Sequence, residues 1–255
     1  MKDKTVEKTL TRSGRRTRSG GRSANTARRS TELFKQIPWH LPLNHDRPIE
    51  PLSQEGVQAI HDGAMQILEQ VGIEFLNKEA CELFAHAGSR VDGNNVKMDR
   101  DWVMEMIGKA PSQFTITPRN PEREIIVGGN HILFGNVSSP PNYYDIDLGK
   151  KVPGTREKCA NLIKLSQHFN CIHMIGGYPV EPVDLHPSIR HLEVLFDKLT
   201  MSDKVCHAYS LGKERVEDVM EMVKIAGGLS EEEFQSKPRL YTNINSTSPL
   251  KHDHP

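Results

Sequence analysis

The fold is decided by residues 155–245, in which three segments have the composition of short buried β-strands. They are CIHMIGG (171–177), KVCHAY (204–209) and RLYTNIN (239–245). Segments with apolar residues at helical spacing accompany them, at residues 155–169, 187–200 and 214–227. Strands that alternate with helices predict βαβ units and a parallel sheet, because each crossover helix returns the chain to the same edge. No helix is predicted after the third strand.

Outward from this stretch, residues 53–152 predict helices followed by short strands. Helices are expected at residues 53–71, 78–87 and 100–109, and strands or hairpins at 91–98, 114–117, 124–127, 131–134 and 143–152. The apolar stripe of the first helix consists of Val57, Ile60, Ala64, Ile67, Leu68 and Val71. Helices followed by strands are typical of an α+β segment. We therefore divide the chain into residues 1–32, 33–152 and 153–255.

The formal net charge of zero conceals an uneven distribution. Residues 1–30 carry ten Lys or Arg and two acidic residues, whereas the remaining 225 residues carry 23 and 31. The Arg/Ser/Gly-rich arm at residues 1–32 is predicted to be disordered, because it has few apolar residues to bury. It fits a solubilising or electrostatic docking tail, an RNA-contacting tail or a mitochondrial-type presequence. No aromatic residue lies between the arginines to stack on bases, so a nucleic-acid partner is not expected.

The rest of the composition predicts a cytoplasmic protein with no membrane partner. No apolar run approaches the roughly 18 residues that a membrane span needs, and no signal-peptide core is present. The four cysteines form no CxxC pair, which is typical of reduced thiols.

Four segments in one order resemble a known family. They are EQVGIEFLNKEACELFAHAGSRVDG (69–93), APSQFTITPRNPEREIIVGGNHILFG (110–135), YDIDLGKKVPGTREKCANLIKL (144–165) and TNINSTSPLKHD (242–253). The chain thereby resembles the trimethylamine methyltransferase superfamily, which includes glycine betaine methyltransferases. The resemblance implies an α/β fold, a (β/α)₈ TIM-type barrel behind an N-terminal α+β segment.

The same resemblance implies a corrinoid-dependent amine methyltransferase. The methyl group would pass from a methylated amine, either trimethylamine or a quaternary amine such as glycine betaine, to the Co(I) of a corrinoid on a separate protein. The partners implied are the amine and that corrinoid protein; no tightly bound cofactor is expected in this chain, and a homo-oligomer is left open.

The chain is too short for the complete barrel that the resemblance implies. A (β/α)₈ barrel needs about 250 residues, and about 100 follow Pro153. We expect the first βα units of a barrel, hence a fragment that is inactive alone and matches only the N-terminal half of the family. The alternative is a truncated, catalytically silent paralogue that serves binding only. The pyrrolysine of the trimethylamine-specific branch would lie in the other half, so the amine stays open.

Candidate substrate-binding residues follow from the barrel geometry, since reacting groups lie at the C-terminal ends of barrel strands and in the following loops. These positions hold Gly176, Gly177 and Tyr178, then His207 and Tyr209, then Asn243, Asn245 and Ser246. Aromatic faces suit a quaternary ammonium group, which has no N–H to donate. The glycines either let the backbone approach a ligand or form a tight turn.

The polar loop before the predicted barrel is a candidate lid. It carries Asn136, Ser138, Tyr143 and Tyr144, and it is otherwise a surface turn set by Pro140 and its neighbour. No metal site is predicted, because the histidines show neither HExxH nor an adequate Cys/His ligand spacing. No catalytic acid is assigned, since a quaternary amine leaves as a neutral tertiary amine.

Overall fold

The computed structural model describes residues 35–209 and 211–252. Residues 1–37 and 38–255 are separate units, and the architecture below is that of the second unit. The arm at residues 1–32, predicted to be disordered, lies outside the described residues.

The N-terminal part of this unit contains three helices and seven short strands. Its helices are α1 (Gln54–Gln66), continued by a π-helical turn (Ile67–Val71), α2 (Lys78–His86) and α3 (Arg100–Gly108). Its strands are β1 (Ile73–Phe75), β2 (Arg90–Asp92), β3 (Asn95–Lys97), β4 (Gln113–Ile116), β5 (Ile125–Gly128), β6 (Asn142–Asp145) and β7 (Lys150–Pro153).

The C-terminal part alternates helix and strand as far as the strand that ends at Cys206, as the sequence predicts, and then holds two helices and an edge strand. Its elements are α4 (Arg156–His168), β8 (Met174–Ile175), α5 (Arg190–Met201), β9 (Val205–Cys206), α6 (Lys213–Gly227), α7 (Glu231–Gln235) and β10 (Lys251–His252).

Side-chain caps confirm several predicted helix starts. Ser53, Asn77, Asp99 and Thr155 each accept a hydrogen bond from a backbone N–H in the first turn of the helix that follows. Such a bond satisfies one of the four N–H groups that a helix start leaves without a partner. The π-helical turn after α1 ends at Gly72, whose φ is 84°. Glycine adopts this conformation without steric cost.

The last described residues join the N-terminal sheet, whose strand order is β10-β1-β3-β2. Strand β10 runs parallel to β1, with Lys251 opposite Glu74 and His252 opposite Phe75. The Lys251 ammonium lies 3.1 Å from the Glu74 carboxylate, and the His252 ring stacks on Phe75 at 4.8 Å between centroids. The sequence did not predict this edge strand.

The predicted third barrel strand at residues 239–245 is wrong. Strands β8 and β9 pair in parallel around the α5 crossover, but the third segment contributes a single bridge, between His207 and Tyr241. Strand β9 has only two residues, so it offers too little backbone for a longer ladder. Among the described residues the sheets do not close into a barrel.

The predicted strand at residues 131–134 is also wrong. After the β5 turn, His131 bridges Leu43, and the Ile132 N–H donates to the Pro42 carbonyl at 2.9 Å. The chain then reaches β8, where Gly135 bridges Met174. The segment therefore joins the proline-rich stretch at residues 38–51 to the parallel unit instead of pairing with β5.

His173 fixes this junction. The Phe134 N–H donates to its Nδ1 at 2.9 Å, so the proton is on Nε2, which donates to the His40 carbonyl at 3.1 Å. The ring also packs edge-on against Trp39 at 5.0 Å. Burial lowers the pKa of His173, which keeps it in the neutral form that these two bonds require.

Helix α5 buries polar as well as apolar side chains. Its buried residues are His191, Val194, Leu195, Asp197 and Lys198. The Asp197 carboxylate accepts two bonds from the Arg156 guanidinium, at 3.1 and 3.0 Å, and thereby ties α5 to the first turn of α4. Phe196, which the stripe at residues 187–200 placed inward, is exposed.

The Arg156–Asp197 pair yields a stability prediction. Arg156→Met leaves the buried Asp197 carboxylate without its partner; because the Arg156 side chain is 37% exposed, it is expected to lower the free energy of unfolding by about 1–3 kcal/mol. The double variant Arg156→Met/Asp197→Leu removes the orphaned charge and should recover most of that loss. Urea unfolding measures both, and an equal loss in the two variants would contradict the assignment.

Candidate functional site

The ends of β8 and β9 bring the predicted aromatic residues together. Because the two strands are parallel neighbours, Tyr178 and Tyr209 leave the same edge, and their rings stack at 4.6 Å with an interplanar angle of 9°. Tyr178 is buried at 3% exposure in the main core cluster, and Tyr209 is only partly buried against it. Of the two rings, Tyr209 is therefore the one that a ligand can reach.

Both phenols stay protonated at neutral pH. Burial raises the pKa of both Tyr178 and Tyr209 above the ordinary value of a tyrosine. The pair therefore offers ring faces and O–H groups, and no phenolate base. Near it, Glu181 forms an ion pair with Arg190, whose guanidinium also donates to the Leu185 carbonyl at 2.8 Å.

His207 lies on the same edge and is neutral. Burial lowers its pKa to about 4, and the nearby Lys198 charge acts in the same direction. Its ring meets Tyr241 edge-on at 5.0 Å between centroids. Its Nδ1 is buried and has no hydrogen-bond partner within the described residues. A buried polar atom without a partner is uncommon and marks a candidate ligand contact.

Lys198, on α5, connects the ends of the two strands. Its Nζ donates to the Gly176 carbonyl at 2.8 Å and to the His207 carbonyl at 3.3 Å. Burial lowers its pKa to about 8. One ammonium group thus fixes the spacing between the strand that carries Tyr178 and the strand that carries Tyr209.

The predicted lid loop is docked on the end of β8. The Asn136 side-chain carbonyl accepts from the Gly176 N–H at 2.8 Å, and Ser138 Oγ accepts from the Gly177 N–H at 3.1 Å. Ser139 has a left-handed φ of 54°, and its N–H donates to the Tyr178 carbonyl at 2.6 Å. Asn136 and Ser138 therefore bind backbone in this arrangement.

The two glycines admit this loop. A Cβ at Gly177 would lie 2.1 Å from Ser138 Oγ, and one at Gly176 would lie 2.9 Å from the Asn136 carbonyl oxygen. Close approach of a backbone is the expected role of such glycines, and here the approaching group is the chain's own loop.

The remaining predicted site residues are more scattered. Tyr143 packs against the core cluster beneath the tyrosine pair, and its O–H donates to Asp145 at 3.1 Å. Tyr144 points outward and is exposed. The third group, Asn243, Asn245 and Ser246, is exposed and follows the Tyr241 bridge.

The sequence prediction missed Lys198, although a signal was present. His191, Val194, Leu195 and Lys198 follow the i, i+3, i+4, i+7 spacing of one helix face. Because lysine is seldom fully buried, the prediction assigned the inward face of this helix to its apolar residues alone, and that face was wrong. The Glu181–Arg190 pair has no comparable sequence signal.

The assembled groups are suited to a ligand with a fixed positive charge. The edge presents an accessible aromatic ring and a neutral imidazole, and cations are attracted to aromatic faces. Within residues 35–209 and 211–252, no group of three or more His, Cys, Asp or Glu is placed to hold a metal ion. In the same residues, no helix is both long and apolar enough to cross a membrane.

The fold is α/β, and the candidate binding residues lie at the C-terminal ends of two parallel strands, which is where α/β proteins usually bind ligands. The family model described as trimethylamine methyltransferase (MTTB) matches residues 18–255. The chain belongs to this family.

Curated relatives agree with the family match. A glycine betaine methyltransferase of Desulfitobacterium hafniense (strain Y51) is 37% identical over 202 residues, which are 79% of this chain and 42% of the relative. A trimethylamine methyltransferase MttB of D. hafniense (strain DSM 10664 / DCB-2) is 29% identical over 206 residues, 78% of this chain and 40% of the relative. A proline betaine:corrinoid methyltransferase of Eubacterium limosum is 35% identical over 74 residues, 29% of this chain and 15% of the relative. The chain spans about two fifths of the length of the first two.

Gly177→Ala tests the docked loop. The added Cβ would displace Ser138, so we expect a loss of about 1–3 kcal/mol in the free energy of unfolding and faster hydrogen exchange at the residue-177 N–H. Gly108→Ala is the matched control, because a Cβ there meets nothing within 4 Å. Equal stability and exchange in both variants would contradict the account.

Lys198→Met tests the buried ammonium through its pH dependence. Between the folded pKa of about 8 and the ordinary value of 10.5, the unfolded chain binds more protons, so the free energy of unfolding rises with pH. The wild-type value minus the variant value should be constant below pH 8 and increase by roughly 3 kcal/mol between pH 8 and 10.5. A difference that is flat across this window would contradict the buried position of the amine.

Proposed function

We propose that the protein transfers a methyl group from a quaternary amine of the glycine betaine type to the Co(I) of a corrinoid carried by a separate protein. Family membership supports methyl transfer. The relative with 37% identity is a glycine betaine methyltransferase, against 29% for the trimethylamine methyltransferase, which favours the quaternary substrate. We further propose that β8 and β9 begin a barrel-type parallel sheet.

The observation that carries the substrate class is the stacked pair of Tyr178 and Tyr209 beside the neutral His207. A quaternary ammonium group needs apolar and π surface because it cannot donate a hydrogen bond. A protonated histidine at this edge would repel it, and burial keeps that imidazole uncharged.

Of the positive side chains near the tyrosines, Arg190 and Lys198 are neutralised or shielded. Arg190 is paired with Glu181, and the Lys198 ammonium is covered by the carbonyl groups of Gly176 and His207. The outward side of this edge is therefore free of an uncompensated positive charge from these residues. Arg215, whose charge also acts on both tyrosines, is the positive side chain that remains near the site.

The chemistry makes modest demands on the protein. The N–CH₃ bond breaks, the nitrogen keeps the bonding electron pair, and a neutral tertiary amine leaves without a proton. The Co(I) of the bound corrinoid protein supplies the nucleophilic electron pair. The chain's own residues have to hold one N–CH₃ bond in line with the acceptor, and the loop at residues 136–139 limits the access of water to the strand ends.

Tyr209 variants test the binding site. Removal of an aromatic face from a cation typically costs about 1–2 kcal/mol, so Tyr209→Ala should raise the Kd for glycine betaine roughly 5- to 30-fold. Tyr209→Phe keeps the ring and should stay close to wild type. Broadening of the trimethylammonium proton resonance measures the Kd, and Phe196→Ala, at an exposed aromatic residue of α5, is the control.

An unchanged Kd in Tyr209→Ala would remove this edge as the substrate site. The amine itself is tested by methyl transfer to the Co(I) corrinoid of the cognate protein, with this chain supplied within a protein of the relatives' full length, since the 255 residues are expected to be inactive alone. Transfer from glycine betaine is expected; transfer from trimethylamine alone would overturn the quaternary assignment. Binding without any transfer would favour the binding-only alternative.

A further inference from the structure

The charged side chains beside the two tyrosines carry more positive than negative charge. Besides burial, which is the largest cause, three charged side chains act on the pKa of both Tyr178 and Tyr209. They are Glu181, Arg190 and Arg215, that is, one carboxylate and two guanidinium groups. Both phenols stay protonated at neutral pH, so neither tyrosine supplies the missing negative charge.

Arg215 is the guanidinium group without a counter-charge. It lies in the first turn of α6, six residues after Tyr209. It is partly buried, and it forms no hydrogen bond or ion pair with any residue in the part of the chain that the structure describes. Asp218, one helical turn further along, is bonded to His191 at 2.9 Å. Because the partial burial of a charge is costly without a partner, this position favours a negatively charged ligand.

Arg190 contributes a second donor without an acceptor. Its side chain is only 16% exposed, and its terminal nitrogens donate to the Glu181 carboxylate and the Leu185 carbonyl. Its Nε is buried and has no hydrogen-bond partner among the described residues. Buried polar atoms are nearly always paired. Both arginines beside the tyrosine pair therefore have N–H groups that an oxygen acceptor from a ligand could satisfy.

The ligand that suits this arrangement carries a carboxylate close to a quaternary ammonium group. A carboxylate matches the guanidinium fork, because it accepts two parallel N–H bonds. The ring of Tyr209 suits the ammonium group. In a betaine the two groups belong to one small molecule, and in glycine betaine a single CH₂ separates them.

We propose that Arg215 binds the carboxylate of the substrate and thereby selects betaines over quaternary amines that have no carboxylate. This inference rests on the proposed function, since it takes the trimethylammonium group at Tyr209 as its starting point. It also accounts for a positive side chain beside a cation site. A betaine is a zwitterion and brings the counter-charge of the arginine with it.

Two dissociation constants, for glycine betaine and for choline, test the proposal. Choline has the same trimethylammonium group and a hydroxyl group in place of the carboxylate. Broadening of the trimethylammonium resonance gives both Kd values, with this chain supplied within a protein of the relatives' full length. Arg215→Met should raise the Kd for glycine betaine about 10- to 100-fold, because bonds between charged groups are lost, and should not raise the Kd for choline. Arg215→Lys keeps the charge without the planar fork and should fall between wild type and Arg215→Met.

Lys213→Met is the matched control. It removes a positive charge from the same turn of α6, but the Lys213 side chain is 78% exposed and lies 3.9 Å from the Glu217 carboxylate. Both Kd values should stay at the wild-type level in this variant. Because the two ligands are compared on one preparation, a loss of folded protein changes both values alike and leaves their ratio unchanged.

Unchanged glycine betaine binding in Arg215→Met would overturn the proposal. An equal loss for the two ligands would also overturn it, since that is the result expected if Arg215 pairs with a carboxylate of the protein. Wild-type protein that binds choline as tightly as glycine betaine would do the same.

Tyr209→Ala separates this proposal from the proposed function. Both ligands present the same cation, so this variant should weaken both. If Tyr209→Ala weakens both ligands and Arg215→Met weakens neither, the carboxylate assignment fails and the proposed function stands. If Tyr209→Ala changes neither, the proposed substrate site fails and the carboxylate assignment fails with it.

Discussion

The candidate site depends on one buried ammonium group. Lys198 reaches from α5 between β8 and β9 and bonds the carbonyls of Gly176 and His207. Each of those strands pairs over only two residues, so backbone hydrogen bonds alone hold the edge weakly. Bonds from a charged donor are roughly twice as strong as neutral ones. The position of Tyr178 relative to Tyr209 follows from this bridge.

The desolvation cost of that lysine is offset in part by its hydrogen bonds. A buried charge is tolerated when polar partners take the place of water, and here two carbonyls do so. Lys204, the residue before β9, is held by a similar pair of bonds: its Nζ donates to the carbonyls of Ser166 and Phe169 at the end of α4. Burial lowers its pKa to about 8 as well. One lysine therefore bridges the strand ends and the other ties the start of β9 to α4, which supports the short parallel unit beyond its own ladder.

Local signals made much of this fold predictable. The capping residues and the βα alternation after Thr155 gave the helices, because hydrogen-bonding side chains and apolar spacing act within one or two turns. The extent of strands was not predictable: the segment around Tyr241 has strand composition, but its pairing depends on the length of β9. The inward face of α5 was misjudged because Lys198 is polar and nevertheless buried. The tyrosines and glycines at the strand ends were predictable from their positions. The contact of the loop with Gly177 was not, because it joins Ser138 to a residue 39 positions further along the chain.

The most direct test of the account is a crystal structure of the protein with glycine betaine bound. The account predicts the trimethylammonium nitrogen within about 6 Å of the Tyr209 ring centroid, beside His207 and with the Lys198 bridge intact. A ligand located elsewhere, for example at the Arg119-lined cavity between the ends of α5 and α6, would contradict the assignment of the strand-end edge as the substrate site.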